Sequence, residues 1–106
     1  MNANEMVEII LDLKDFDGIE NESIIAAGKA AATDIIKNDE DFFSHNDQSV
    51  YLFLDGLEFE DEYYIREIDK YVPKSLGLCT AWSKYFDYIH QVYTQCLSYL
   101  KYELME

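Results

Sequence analysis

Between Leu78 and Leu104 the apolar and aromatic residues return every three or four positions: Leu78, Trp82, Tyr85, Ile89, Val92 and Cys96, with Phe86, Tyr93, Leu97, Leu100 and Leu104 beside them. This spacing predicts one long helix that starts near Leu78 to Thr80, behind the breakers Pro73 and Gly77, and meets no stop signal afterwards. Such a helix is the spine of the core, because the other segments of a 106-residue chain must be arranged to cover it. A chain of 12.4 kDa makes one domain, and residues 1–106 are read as a single acidic helical domain. Sixteen aromatic residues supply ample core material and exclude a disordered chain.

Charge divides the chain in two. Residues 1–69 hold 19 Asp and Glu against 4 Lys and Arg, a net of −15, whereas residues 70–106 hold 3 against 4, a net of +1. The total of −14 repels DNA, RNA and anionic membranes, so direct nucleic-acid or membrane binding is not expected. No apolar run approaches the roughly 20 residues of a membrane span, and Met1 to Glu5 lack the basic start and apolar stretch of a signal peptide. The sequence reads as cytoplasmic.

The acidic part reads as short helices. Met6, Val7, Ile9, Ile10 and Leu13 form one stripe, with Asn4 as candidate cap, and predict a first helix over about 4–15 that gives way at Asp15-Phe16-Asp17-Gly18. Asn21 or Ser23 caps a second helix through Ile36, whose small residues from Ala26 to Ala32 allow a neighbour to approach closely. Ser44 to Gln48 is a polar break, and 61–72 returns to helical spacing until Pro73. Only Val50-Tyr-Leu-Phe-Leu, followed by Asp55-Gly56 and Leu57-Glu-Phe-Glu, is ambiguous. It fits either a short helix over about 48–54 or a hairpin turning at Asp55-Gly56. Two strands this short need a third, and none is visible, so the expected fold class is all-α, with an α+β fold carrying that one hairpin as the alternative.

Catalytic and metal signatures are missing. There is no phosphate-cradling Gly loop, G-x-S-x-G, H-E-x-x-H or C-x-x-C, and His45 and His90 have no neighbours at ligand spacing, so no enzyme, metal or cofactor is expected. Asp15-Phe-Asp-Gly fails as a calcium loop, because Gly18 falls at its fourth position and Ala26 at its twelfth. Cys79 and Cys96, seventeen residues apart in one helix, stand about 25 Å apart and cannot form an internal disulfide. Both read as free thiols, and His90 as an ordinary helix residue.

What remains is the distribution of carboxylates. Glu5, Glu8, Asp12 and Asp15 share one helical face opposite the apolar stripe, and each like-charge pair costs a few tenths of a kcal/mol without helping the fold. Asp39, Glu40 and Asp41, and then Glu58, Glu60, Asp61 and Glu62, repeat the situation, and Asp69 extends it. Rows of carboxylates spaced like phosphates suit the basic groove of a nucleic-acid enzyme. These twelve residues are therefore the candidate partner-binding set. The bland alternative is charge that only keeps the protein dispersed.

Leu57-Glu58-Phe59-Glu60-Asp61, preceded by Ala31-Ala32-Thr33-Asp34 and Asp41-Phe42-Phe43-Ser44, resembles the central part of the Ocr-type phage anti-restriction proteins, over about a third of the chain. That resemblance implies a small acidic helical dimer that mimics bent B-DNA and blocks a restriction enzyme. The segment Tyr93 to Tyr102 departs from the family, which carries an acidic tail there. The expected function is an acidic nucleic-acid mimic that occupies the DNA or RNA groove of a bacterial defence enzyme, of restriction or CRISPR type, and is encoded by a phage or mobile element. The alternative is an immunity protein covering the cleft of a nuclease toxin, with Tyr63, Tyr64 and Tyr71 as anchors beside the acids. Because apolar positions run nearly all round the last helix, a homodimer is expected through Trp82, Tyr85, Phe86, Ile89, Tyr93, Leu97 and Leu100.

Overall fold

The computed structural model describes residues 2–38, 47–57, 68–72 and 80–105, the side chains of 47–49, 57, 80–84 and 105 excepted. Among the described residues four helices are bounded at both ends: α1 (Ala3–Asp12), α2 (Glu22–Asn38), α3 (Asp47–Leu57) and α4 (Thr80–Met105). Among the described residues there is no strand, only an isolated bridge between Phe16 and Ile19. The protein is mostly helical, with a long C-terminal helix.

The ends of α1 and the start of α2 have identifiable causes. Asn2, rather than Asn4, caps α1: its Oδ1 accepts the Glu5 N–H at 2.9 Å. The helix also stops three residues before the expected Asp15. The Leu11 carbonyl, which Asp15 N–H would take in a continuing helix, accepts instead from Lys29 Nζ at 2.8 Å, and Leu13 O accepts from the same amine at 2.7 Å. Asn21 caps α2 as expected, accepting from Ser23 N–H (2.9 Å) and Ile24 N–H (3.2 Å). In α3, Val50 and Leu54 sit four residues apart and are both fully buried, so the helical reading holds and the hairpin is corrected. Gly56 lies inside that helix without the positive φ that an Asp-Gly hairpin turn demands. Of the expected helix over 61–72, residues 61–67 lie outside the described residues. Ile68 and Asp69 are helical and the chain turns over 70–72, with Tyr71 N–H bonded to Ile68 O and Val72 N–H to Asp69 O, and Ile68 and Val72 in the core.

Helix α4 packs against α1, α2 and α3. Its Ile89, Val92, Tyr93, Cys96, Leu97 and Leu100 are completely inaccessible to solvent in the single chain. The small-residue stretch of α2 makes this possible: a Cβ added at Gly28 would lie 2.4 Å from both Cβ and Cγ1 of Val92 and 3.0 Å from the Ile89 carbonyl. The helices meet backbone to side chain at that point. At the other end Lys101 ties α4 to α3, with Nζ 3.2 Å from Asp55 Oδ1 and 5.9 Å from the centre of the Tyr51 ring.

Four residues of the expected dimer face are already buried within the single chain. Ile89, Tyr93, Leu97 and Leu100 belong to the chain's own core, because the preceding helices cover both apolar sides of α4. Tyr85 and Phe86 are half-buried against the same core, and the side chain of Trp82 lies outside the described residues. Outward from α4 stand Tyr88, Tyr99 and Tyr102 instead. Cys96 is a free, buried thiol whose pKa desolvation pushes up to about 12 against a weaker pull from the Lys29 ammonium, so it is inert rather than nucleophilic at neutral pH. Cys79 lies outside the described residues. His90 is an ordinary helix residue stacked between Phe86 and Tyr93, with ring centres 6.5 and 6.2 Å away. Among the described residues no helix is long and apolar enough to cross a membrane.

Candidate partner-binding surface

Among the described residues the carboxylates cluster on α1 and the connection to α2. On α1, Ala3, Met6 and Ile10 turn into the core, and Glu5, Glu8 and Asp12 consequently share the exposed opposite face. Asp15 is exposed too, but it sits in the connection after Leu13, so the expected four-membered helical row is a row of three followed by a loop carboxylate.

That loop is held firmly. Phe16 and Ile19 bury their side chains (7% and 5% exposed), and Ile19 N–H bonds back to Phe16 O at 3.2 Å. Gly18 supplies the φ of +78° that the turn needs at its third position and that an L side chain rarely adopts. From α4, Gln95 grips both backbone groups of Asp17: its Oε1 accepts the Asp17 N–H at 2.9 Å, and its Nε2 donates to Asp17 O at 3.1 Å. The carboxylates of Asp15, Asp17, Glu20 and Glu22 are thus displayed from a backbone anchored to the long helix.

Residues 2–22 carry seven acids (Glu5, Glu8, Asp12, Asp15, Asp17, Glu20 and Glu22) against one base, Lys14, and all seven are exposed. None of the seven forms an ion pair among the described residues. Two acids on other elements are engaged instead. Asp55 is paired with Lys101, and half-buried Asp34 accepts a hydrogen bond from the Tyr71 hydroxyl. Tyr71 is therefore committed to α2 rather than offered as an anchor. Asp69 is exposed. Asp39, Glu40, Asp41, Glu58, Glu60, Asp61, Glu62, Tyr63 and Tyr64 lie outside the described residues.

Beside the α1 row runs a cleft of about 670 Å³, whose floor is made by Leu13, Ile25, Ala26 and Ala30, with Leu11 exposed on its lip. A second cleft of about 380 Å³ continues it along the Asp15–Glu22 loop. Reading by helical spacing passed over Asp17, Glu20 and Glu22, which lie beyond any helical row. A count of charge along the loop finds them, whereas nothing local marks Lys29 or Gln95, whose partners are 16 to 78 residues away. The described residues contain no group of three or more side chains able to hold a metal ion. No protein-family model matches the chain, and no curated protein or solved structure does either.

Proposed function

We propose that the protein is an acidic nucleic-acid-mimic inhibitor. Its carboxylate surface occupies the DNA- or RNA-binding groove of a bacterial defence enzyme, of restriction or CRISPR type, and its source is a phage or mobile element. The observation that carries this reading is the set of seven exposed acids over residues 2–22 without an ion pair among the described residues. Charge left unpaired costs stability locally, yet it is suited to fast, electrostatically steered association with a basic groove and to the release of that groove's counterions. Gln95 and Lys29 support the same reading, since a surface that replaces a stiff duplex works best when its carboxylates are pre-positioned.

Tagged protein used to capture partners from a bacterial lysate at low and high salt tests it, followed by competition with DNA or RNA for the captured enzyme. The expected result is an enzyme that loses its nucleic acid when the protein is added at low salt and regains it at high salt, while the protein alone shifts no duplex DNA. Reversal of Glu5, Glu8, Asp12 and Asp15 together to Lys is expected to abolish the competition with helicity intact. Unchanged competition by that variant, or direct DNA binding at physiological salt, overturns the reading.

A second reading, an immunity protein that covers the cleft of a nuclease toxin, is favoured by the apolar cleft beside the acids, because such complexes concentrate their energy on a few seated side chains. Loss of all activity on a single substitution in that cleft, with the charge reversals nearly silent, is its signature.

A further inference from the structure

The two clefts are one groove. They share Lys14, Glu22 and Ile25, and along α2 the groove runs from Glu22 to Asp34, which at about 1.5 Å per residue is roughly 18 Å. An extended segment of five or six residues has that length. The two ends differ in what they leave unspent. At the Asp34 end both charges are already engaged, Lys29 on the carbonyls of Leu11 and Leu13 and Asp34 on the Tyr71 hydroxyl, so the surface on offer is the apolar floor. Thr33, only 8% exposed, lines that end of the groove with its hydroxyl turned out of reach of solvent. At the loop end Asp15, Asp17, Glu20 and Glu22 face a single Lys14, and none of the four is ion-paired among the described residues.

We infer that this groove takes a short extended basic segment of a partner protein, seating one apolar or aromatic side chain over Ile25, Ala26 and Ala30 and laying its Arg or Lys residues, three or four positions along, against Glu20 and Glu22. The floor without free charge selects the apolar anchor, and the acidic end fixes the direction of the segment. This inference rests on the reading that the partner is basic, and it adds where on the protein that partner is gripped and by what kind of side chain.

The test uses the whole chain and a fluorescein-labelled peptide, Phe-Ser-Ser-Arg-Lys-Arg, in an anisotropy titration at 0.15 M salt. Two control peptides replace the Phe by Gly or the three basic residues by Ser. Both controls are expected to bind at least tenfold more weakly than the parent peptide. Ala26→Trp, which fills the cleft from an exposed helical position, is expected to weaken the parent peptide at least tenfold, and Glu20→Lys with Glu22→Lys to do the same. Ala26→Glu is a second cleft variant, and circular dichroism verifies that each variant is folded. Equal binding of the Phe and Gly peptides, full binding to both cleft variants, or no binding of any peptide overturns the inference. Because no enzyme takes part, this outcome is separate from that of the competition assay.

Discussion

Residues 2–22 and helix α4 stand in contrast. The first segment sets seven carboxylates in solvent with one lysine among them, and the second sinks six residues from Ile89 to Leu100 into a core shared with three other helices. Where α4 carries a charge that meets another element, as Lys101 does at Asp55, the charge is paired. The contrast teaches that the acidity is not a uniform coat. Among the described residues it clusters on a segment that is itself well anchored, by the Asn2 and Asn21 caps, by Lys29 and by the Gln95 grip on Asp17. Both regions feed the core, residues 2–22 through Ala3, Met6, Ile10, Phe16 and Ile19, but among the described residues only 2–22 display a row of unpaired charge on the other side.

The contrast breaks most visibly on the α4 side. Leu97→Asp puts a carboxylate where solvent does not reach, and the lost burial plus the stranded charge exceed about 4 kcal/mol, comparable with the whole stability of a small domain. The expected outcome is loss of the cooperative thermal transition in circular dichroism. A folded particle that merely halves its mass in light scattering would restore Leu97 to a dimer face. Gly28→Ala comes next. The roughly 1 kcal/mol that alanine gains in a helix is outweighed by a Cβ at 2.4 Å from two Val92 atoms, so α2 and α4 must separate, and the urea midpoint is expected to fall by the equivalent of about 1–3 kcal/mol.

Much of this was legible in the residues. The apolar spacing from Trp82 to Leu104 fixed α4, and Asn21 and the small residues near Gly28 announced the start of α2 and its close approach to a neighbour. Periodicity records which positions are apolar, but it cannot say whether a helix's two apolar sides are covered by the same chain or by another. Periodicity alone therefore leaves open what covers Ile89, Tyr93, Leu97 and Leu100, and all four are buried in the single chain. The extension of α1 to Asp15 failed on a similar point, since the amine that ends the helix comes from Lys29 on another helix. Of the candidate site, Glu5, Glu8, Asp12, Asp15 and Asp69 are exposed as read, while the groove is built from α1, the loop and α2 together and has no signature in any one of them.

Asp55-Gly56 deceived for a different reason: the dipeptide favours a hairpin turn, but Val50 and Leu54 need one helical face. Gly56→Ala sharpens the comparison between propensity and packing. A Cβ there meets nothing within 4 Å and the backbone is helical, so alanine is expected to raise stability by about 0.5–1 kcal/mol, read as a higher urea midpoint. In a hairpin with positive φ at that glycine the same substitution lowers it. Gly18→Ala, at φ +78°, serves as the internal control with the opposite sign.

The smallest effect probes the acidic segment itself. Asp12 closes α1 at the end where the helix dipole is negative, with Glu8 four residues behind it and no base of α1's own in the last turn. Its charge is therefore adverse twice over, by a few tenths of a kcal/mol each time, and the ammonium of Lys29 relieves this only by reaching over from α2 to the carbonyls of Leu11 and Leu13. Glu5, in the first turn, sits where the dipole welcomes a negative charge. Asp12→Asn is expected to stabilise the fold by roughly half a kcal/mol at low ionic strength and by almost nothing in 0.5 M salt, whereas Glu5→Gln gains nothing at either. Urea midpoints of both variants at the two salt concentrations measure the difference. A destabilised Asp12→Asn would make the carboxylate part of the fold, while a salt-sensitive gain identifies it as a charge that the fold carries at a cost, held out for something other than stability.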